Sequence, residues 1–108
     1  MDFDGSFPAA IRALPVAKSV ATAYRLAAQG CDVMFVTAPA GTSLPSHVHD
    51  TDNATVILSG HLVVTLADGQ ERRYGPGDWY ETHAGEPHAV RFETGGTHIE
   101  LRFAKTTH

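Results

Sequence analysis

The sequence has a single cysteine, no run of lysine or arginine and no long apolar stretch, and each shortage removes a class of answers. Cys31 has no partner within the chain, so no internal disulfide staples the fold, which fits a reducing compartment. It reads as a small core residue in preference to a nucleophile. Lys and Arg number 8 against 12 Asp and Glu, a formal charge of -4, and both signs are scattered. That pattern leaves no electrostatic footprint for nucleic acid or an anionic membrane. The start, MDFDGSFPAAIRALP, carries acids where a secretion signal needs bases. No window reaches the roughly 18 to 20 apolar residues of a membrane span. A soluble, cytoplasmic protein is therefore expected.

What is present is a β pattern. The 108 residues suffice for one domain with a real core, small enough to gain stability from a partner subunit. From residue 31 onward, runs of Val, Ile, Thr, Leu and aromatics recur with turn residues between them, the spacing of an all-β sandwich or barrel. The expected strands are CDVMFVTA, ATVILS, LVVTLA, QERRY, DWYETH, HAVRFE and THIELRF. Asp68-Gly69 suits a two-residue type I′ hairpin turn, because Asp and Gly tolerate positive φ. PAAIRAL suggests a short helix, and residues 20 to 26 a strand joined to the next through Gly30. Leu62-Val63-Val64 is apolar at successive positions, so both faces there need cover. A second subunit would supply it, and a homodimer is expected.

Chemistry concentrates in the histidines. His47 and His49 stand two apart, a strand spacing that projects both rings to one face, where they can converge on one ion at roughly 2.0 to 2.1 Å. Alone, this pair is weak evidence. A second segment, GPGDWYETHAGEPHAV, carries a turn into a strand, a further turn at Ala84-Gly85, and Pro87 just before His88.

Together the two segments resemble the paired motifs of the cupin superfamily. Gly41, His47, His49, Asn53 and Gly60 fall on the positions of the first motif, and Gly77, His83, Gly85 and His88 on those of the second. The resemblance spans residues 20 to 103 and implies a double-stranded β-helix, or jelly roll: a barrel of two antiparallel sheets. The barrel domain would occupy residues 20 to 108, with residues 1 to 19 an N-terminal extension or dimer-contacting segment. It further implies one divalent ion, of Fe, Mn, Ni or Zn type, held by His47, His49, His88 and the residue at position 53. Two positions depart from the family pattern: Asn53 stands where cupins usually carry Glu, and His83 where they usually carry Pro.

A hairpin turning at Gly95-Gly96 would pair Phe92 with Ile99 and Val90 with Leu101. His88, Val90, Phe92, Ile99, Leu101 and Phe103 then form an apolar inner face. Arg91 with Glu100 and Glu93 with His98 become charged pairs on the outer face, and a three-residue loop would reverse this and turn Glu100 inward. His61 reads as a surface residue, His108 as a mobile chain end, and Trp79 and Tyr80 as pointing to opposite faces.

Without a Glu at 53, an ion held by neutral ligands keeps its full charge and should favour an anionic ligand. Asn53 can ligate through its amide oxygen, orient a bound water or substrate, or serve only as a structural turn residue, and Asp50 or Asp52 could substitute for it. Cupins include enzymes and non-catalytic modules, so the fold does not choose between them. The first reading is a small metal-dependent, dioxygenase-like enzyme acting on a small anionic or enediol-type substrate. The second is a non-catalytic metal-binding, small-molecule-binding or regulatory module. An isomerase or lyase of keto-sugars or keto-acids would use His83 as catalytic acid or base, since its ordinary pKa lies near neutrality. A metal-free barrel with relic histidines is the remaining alternative.

Overall fold

The computed structural model describes residues 7–104, so His108 lies outside the described residues. A short helix, α1 (Ala9–Arg12), precedes ten strands. These are β1 (Val16–Lys18), β2 (Thr22–Ala28), β3 (Cys31–Ala38), β4 (Ser43–His47), β5 (Asp52–Ser59), β6 (Leu62–Leu66), β7 (Glu71–Tyr74), β8 (Trp79–Thr82), β9 (His88–Phe92) and β10 (Gly96–Phe103). They build two antiparallel sheets facing one another, a six-stranded one ordered β1-β2-β3-β10-β5-β8 and a four-stranded one ordered β4-β9-β6-β7. This is the all-β jelly roll expected from the motifs. The strands called from β-branched and aromatic runs form, and two more, β1 and β4, add edges to the sheets.

The core lies between the sheets. Ile57 from the larger sheet meets Leu62, Val64, Val90 and Phe92 from the smaller one, with Ala38 beside them, and all are buried. Burying each large side chain contributes about 1.5–3 kcal/mol against the entropy of ordering it. Val63, on the opposite face of β6, is also buried, with Arg73 and Arg91 paired to either side of it. The cover for Leu62-Val63-Val64 thus comes from the same chain, and the apolar run is no evidence for a second subunit.

The Asp68-Gly69 hairpin forms with a different turn. Only Gly69 has positive φ (85°), the Gly69 amide donates to the Leu66 carbonyl, and the Leu66 amide donates to the Gln70 carbonyl. That is a three-residue loop closed by a left-handed glycine, which spares Asp68 a positive φ. The hairpin expected at Gly95-Gly96 does not exist. β9 lies in the four-stranded sheet between β4 and β6, and β10 in the six-stranded sheet between β3 and β5. The two glycines serve a crossing between sheets: a Cβ on Gly96 would sit 2.1 Å from the Ser59 carbonyl oxygen. Glycine is required there by close approach of two backbones.

This crossing inverts β10 relative to expectation. His98 pairs with Ile57, Glu100 with Thr55 and Arg102 with Asn53, so all three face the barrel interior. The expected outer pairs Arg91 with Glu100 and Glu93 with His98 are replaced by Arg91–Glu71 and Arg73–Glu93 across the small sheet's outer face. Ile99, Leu101 and Phe103 face outward, sharing that side with Val56 and Ala54. Trp79 is 56% exposed on the same outer face, whereas Tyr80 turns inward, stacks on Tyr74 and bonds Thr55.

His98 is 5% exposed and lies parallel to Phe92, ring centroids 5.7 Å apart. Burial lowers its pKa from 6.5 to about 4, with Glu100 opposing the shift. Below pH 6.5 the unfolded chain takes up a proton that the folded chain refuses, so folding stability falls as pH drops towards 4. Wild type should lose about 3 kcal/mol more unfolding free energy between those pH values than a His98→Leu variant, measured by denaturant titration. Equal losses would show that His98 is not held neutral.

Candidate metal centre

The end of β4 and the start of β9 meet at the barrel mouth, where His47 pairs directly with His88. His49 is not on the strand as its spacing suggested. It lies two residues beyond the end of β4, and the loop turns its ring back toward the other two. Ring centroids are 4.4 Å apart for His47–His88, 4.8 Å for His47–His49 and 5.3 Å for His49–His88. One ring nitrogen from each lies within 4.8 Å of the others, a cluster able to hold a metal ion.

Local backbone geometry sets the rings. The Nδ1 of His47 is 2.7 Å from the Pro45 carbonyl oxygen, and that of His88 is 3.2 Å from the Glu86 carbonyl oxygen, both two residues back. A carbonyl only accepts, so both Nδ1 atoms carry the proton and each Nε2 keeps its lone pair. A backbone acceptor on the far nitrogen is the usual way a ligating histidine is oriented. Burial lowers the pKa of His49, Glu100 opposes this, and Arg102, His47 and His88 reinforce it. The neutral imidazole is the form that binds a metal. Three such donors suit Zn, Cu, Fe or Ni, so the residues present fit a divalent ion.

A cavity of about 470 Å³ opens beside the cluster. Its apolar lining includes Met34, Val36 and Leu44 and its polar lining His47, His98, Glu100 and Arg102, with Glu100 paired to Met34 and His98 to Val36 across β10 and β3. Glu100 and His98 thus line the interior, against the outward placement expected from the sequence. The signal was there in the alternation His98-Glu100-Arg102 against Ile99-Leu101-Phe103, but the usual preference for apolar residues inside selected the wrong face.

Asn53 is buried, 4% exposed, on the inner face of β5. Its Oδ1 accepts from the Thr51 hydroxyl at 2.6 Å, and its Nδ2 donates to Glu100 Oε1 at 3.4 Å. His83 stands apart from the three imidazoles. Its side chain is 67% exposed, with Nδ1 3.9 Å from Asp52 Oδ1. It lines a separate pocket of about 160 Å³ with Asp52, Asn53, Glu81, Thr82 and Phe103. Asp52 caps the backbone amide of Ala84, and Asp50 is exposed.

A jelly-roll barrel in which three imidazoles gather beside a cavity is able to hold an ion there. The chain belongs to the cupin family: the Cupin domain matches residues 34–101. Among curated proteins it is similar to quercetin 2,3-dioxygenase of Bacillus subtilis strain 168, 32% identical over 69 residues, which cover 63% of this chain and 20% of that protein. The chain thus spans about a fifth of that relative's length. Among solved structures it is similar to an RmlC-like cupin from Shewanella frigidimarina, with a TM-score of 0.76, 15% identity and 87% and 86% of the two chains covered. KdgF from Halomonas sp. gives 0.73, 20% identity and 82% and 84% coverage. Ectoine synthase from P. lautus gives 0.73, 17% identity and 84% and 69% coverage. At these identities the structures speak for the fold alone.

Replacing His47, His49 or His88 with Ala should each weaken Zn(II) affinity by more than about a hundredfold, since altering a mere supporting partner of a ligand costs 10–100-fold. Chelator competition measures this, and a histidine whose loss leaves affinity intact is no ligand.

Proposed function

We propose that the protein is a small metal-dependent enzyme of dioxygenase type acting on a small anionic or enediol-type molecule. The observation that carries this reading is the convergence of His47, His49 and His88 beside the 470 Å³ cavity. The partial similarity to quercetin 2,3-dioxygenase supports it. His47, His49 and His88 would hold the ion, which supplies Lewis acidity and, for Fe, Mn or Ni, redox capacity. With three protein ligands, positions are left for substrate. Met34, Val36 and Leu44 keep water from the substrate's apolar part. Asn53 acts as an orienting residue, its amide shared between Thr51 and Glu100. Arg102 offsets the charge of Glu100, so the site keeps its preference for an anion.

The exposure of His83 favours a second reading, a binding module without turnover, because the candidate acid or base stands outside the cavity. The same placement gives no support to the isomerase or lyase. The lone Cys31 is consistent with a cytoplasmic setting, and no described helix is long and apolar enough to cross a membrane.

Protein reconstituted with Fe(II), Mn(II) or Ni(II) should consume oxygen with at least one member of a panel of flavonols, enediols and diketones. Stabilisation by a compound recovered unchanged, with no oxygen uptake from any member, would select the binding module. We also propose that a second copy of the chain covers the outer face of the six-stranded sheet. That face exposes Leu58, Trp79 and Phe103, whereas the other sheet's outer face carries ion pairs. Sedimentation should show a dimer at micromolar concentration that Trp79→Glu converts to monomer; a monomeric wild type would refute it.

A further inference from the structure

The carboxylate absent from position 53 has a counterpart on another strand. Glu100 projects from the middle of β10 into the cavity that His47 also lines, with its side chain 16% exposed. Two groups hold it there: Arg102 Nε lies 2.5 Å from Oε1, and the Asn53 amide donates to the same oxygen at 3.4 Å. Both hydrogen bonds go to Oε1, and no hydrogen bond to Oε2 occurs among the described residues. Thr51 in turn fixes Asn53. A Glu at position 53 would set a second carboxylate against Glu100, whereas Asn supplies a donor. The amide at 53 and the acid at 100 are therefore complementary.

A carboxylate is an acceptor only, and one set among the apolar side chains of such a cavity discriminates by what it is offered. A ligand that presents an O–H donor gains a charge-assisted hydrogen bond, and one that presents an ether oxygen leaves the carboxylate facing a lone pair. We propose that Glu100, positioned by Arg102 and Asn53, is the specificity-determining acceptor of the cavity. It selects small hydroxy acids or enols whose O–H group adjoins the oxygens that approach the three imidazoles. The apolar lining of Met34, Val36 and Leu44 takes the remainder of the ligand, so an aryl or alkyl substituent is accommodated. This rests on the metal-site reading above and deepens it by naming the ligand chemistry.

The test uses a matched pair of probes, mandelate and O-methylmandelate, which share carboxylate, ring and α-oxygen and differ in whether that oxygen carries a hydrogen or a methyl group. Each is titrated into Co(II)-loaded protein, and binding is read from the visible spectrum of the ion, without reference to turnover. Wild type should bind mandelate about tenfold or more tightly than its methyl ether, the advantage expected of a hydrogen bond to a charged group. Glu100→Gln keeps the volume of the side chain but can donate to the ether, so the preference should vanish or reverse. Glu100→Ala should also abolish it while one Co(II) per chain is retained. A preference unchanged in Glu100→Gln would assign the discrimination to bulk and overturn the proposal, as would equal binding of both probes by wild type. Failure of wild type to bind Co(II) would instead overturn the metal-site reading on which the proposal rests.

Discussion

The arrangement at the barrel mouth depends on the chain changing sheets between Phe92 and Gly96. Up to that point β9 has delivered His88 to the small sheet, opposite His47. After it, β10 runs through the middle of the large sheet between β3 and β5 and presents His98, Glu100 and Arg102 to the same interior. The crossing is possible because backbone lies on backbone at Ser59, Gly60 and Gly96, where a single Cβ would collide with a carbonyl. Steric clearance at this point places an imidazole cluster on one wall and a carboxylate with its guanidinium on the other.

Much of the barrel was legible because strands announce themselves by period and composition. β3 begins and ends where the CDVMFVTA run does, and the segment around Asp68-Gly69 turns back as expected. The three histidines were legible through spacing, and they do converge. An inward His88 was inferred from a hairpin that does not form; it faces inward because β9 pairs with β4 and β6. What was not legible is which side of β10 is inside. The rule that apolar residues point inward fails there, because Ile99, Leu101 and Phe103 share an apolar outer face with Trp79 while the interior takes charge. Nor could local pattern show that His49 would reach the cluster from a loop.

The substitution at position 53 gains its meaning from that inversion. Viewed alone, Asn in place of a carboxylate leaves an ion uncompensated. In the folded chain a carboxylate is present after all, approached from β10, tied to Arg102 and touched by the Asn53 amide. Because Arg102 offsets Glu100, the net charge offered to a bound ion is that of three neutral imidazoles. A hydrogen-bond acceptor has been added without the cost in charge that a direct carboxylate ligand imposes.

We propose that one divalent ion sits among His47, His49 and His88, with Glu100 beside it and outside its ligand set. Anomalous diffraction at a metal absorption edge from crystals of native protein locates such an ion directly. The account predicts one peak at about 2.0 to 2.2 Å from a nitrogen of each of the three imidazoles, with the Glu100 carboxylate beyond bonding distance. A peak at His83 and Asp52, or one bonded to Glu100, would contradict it.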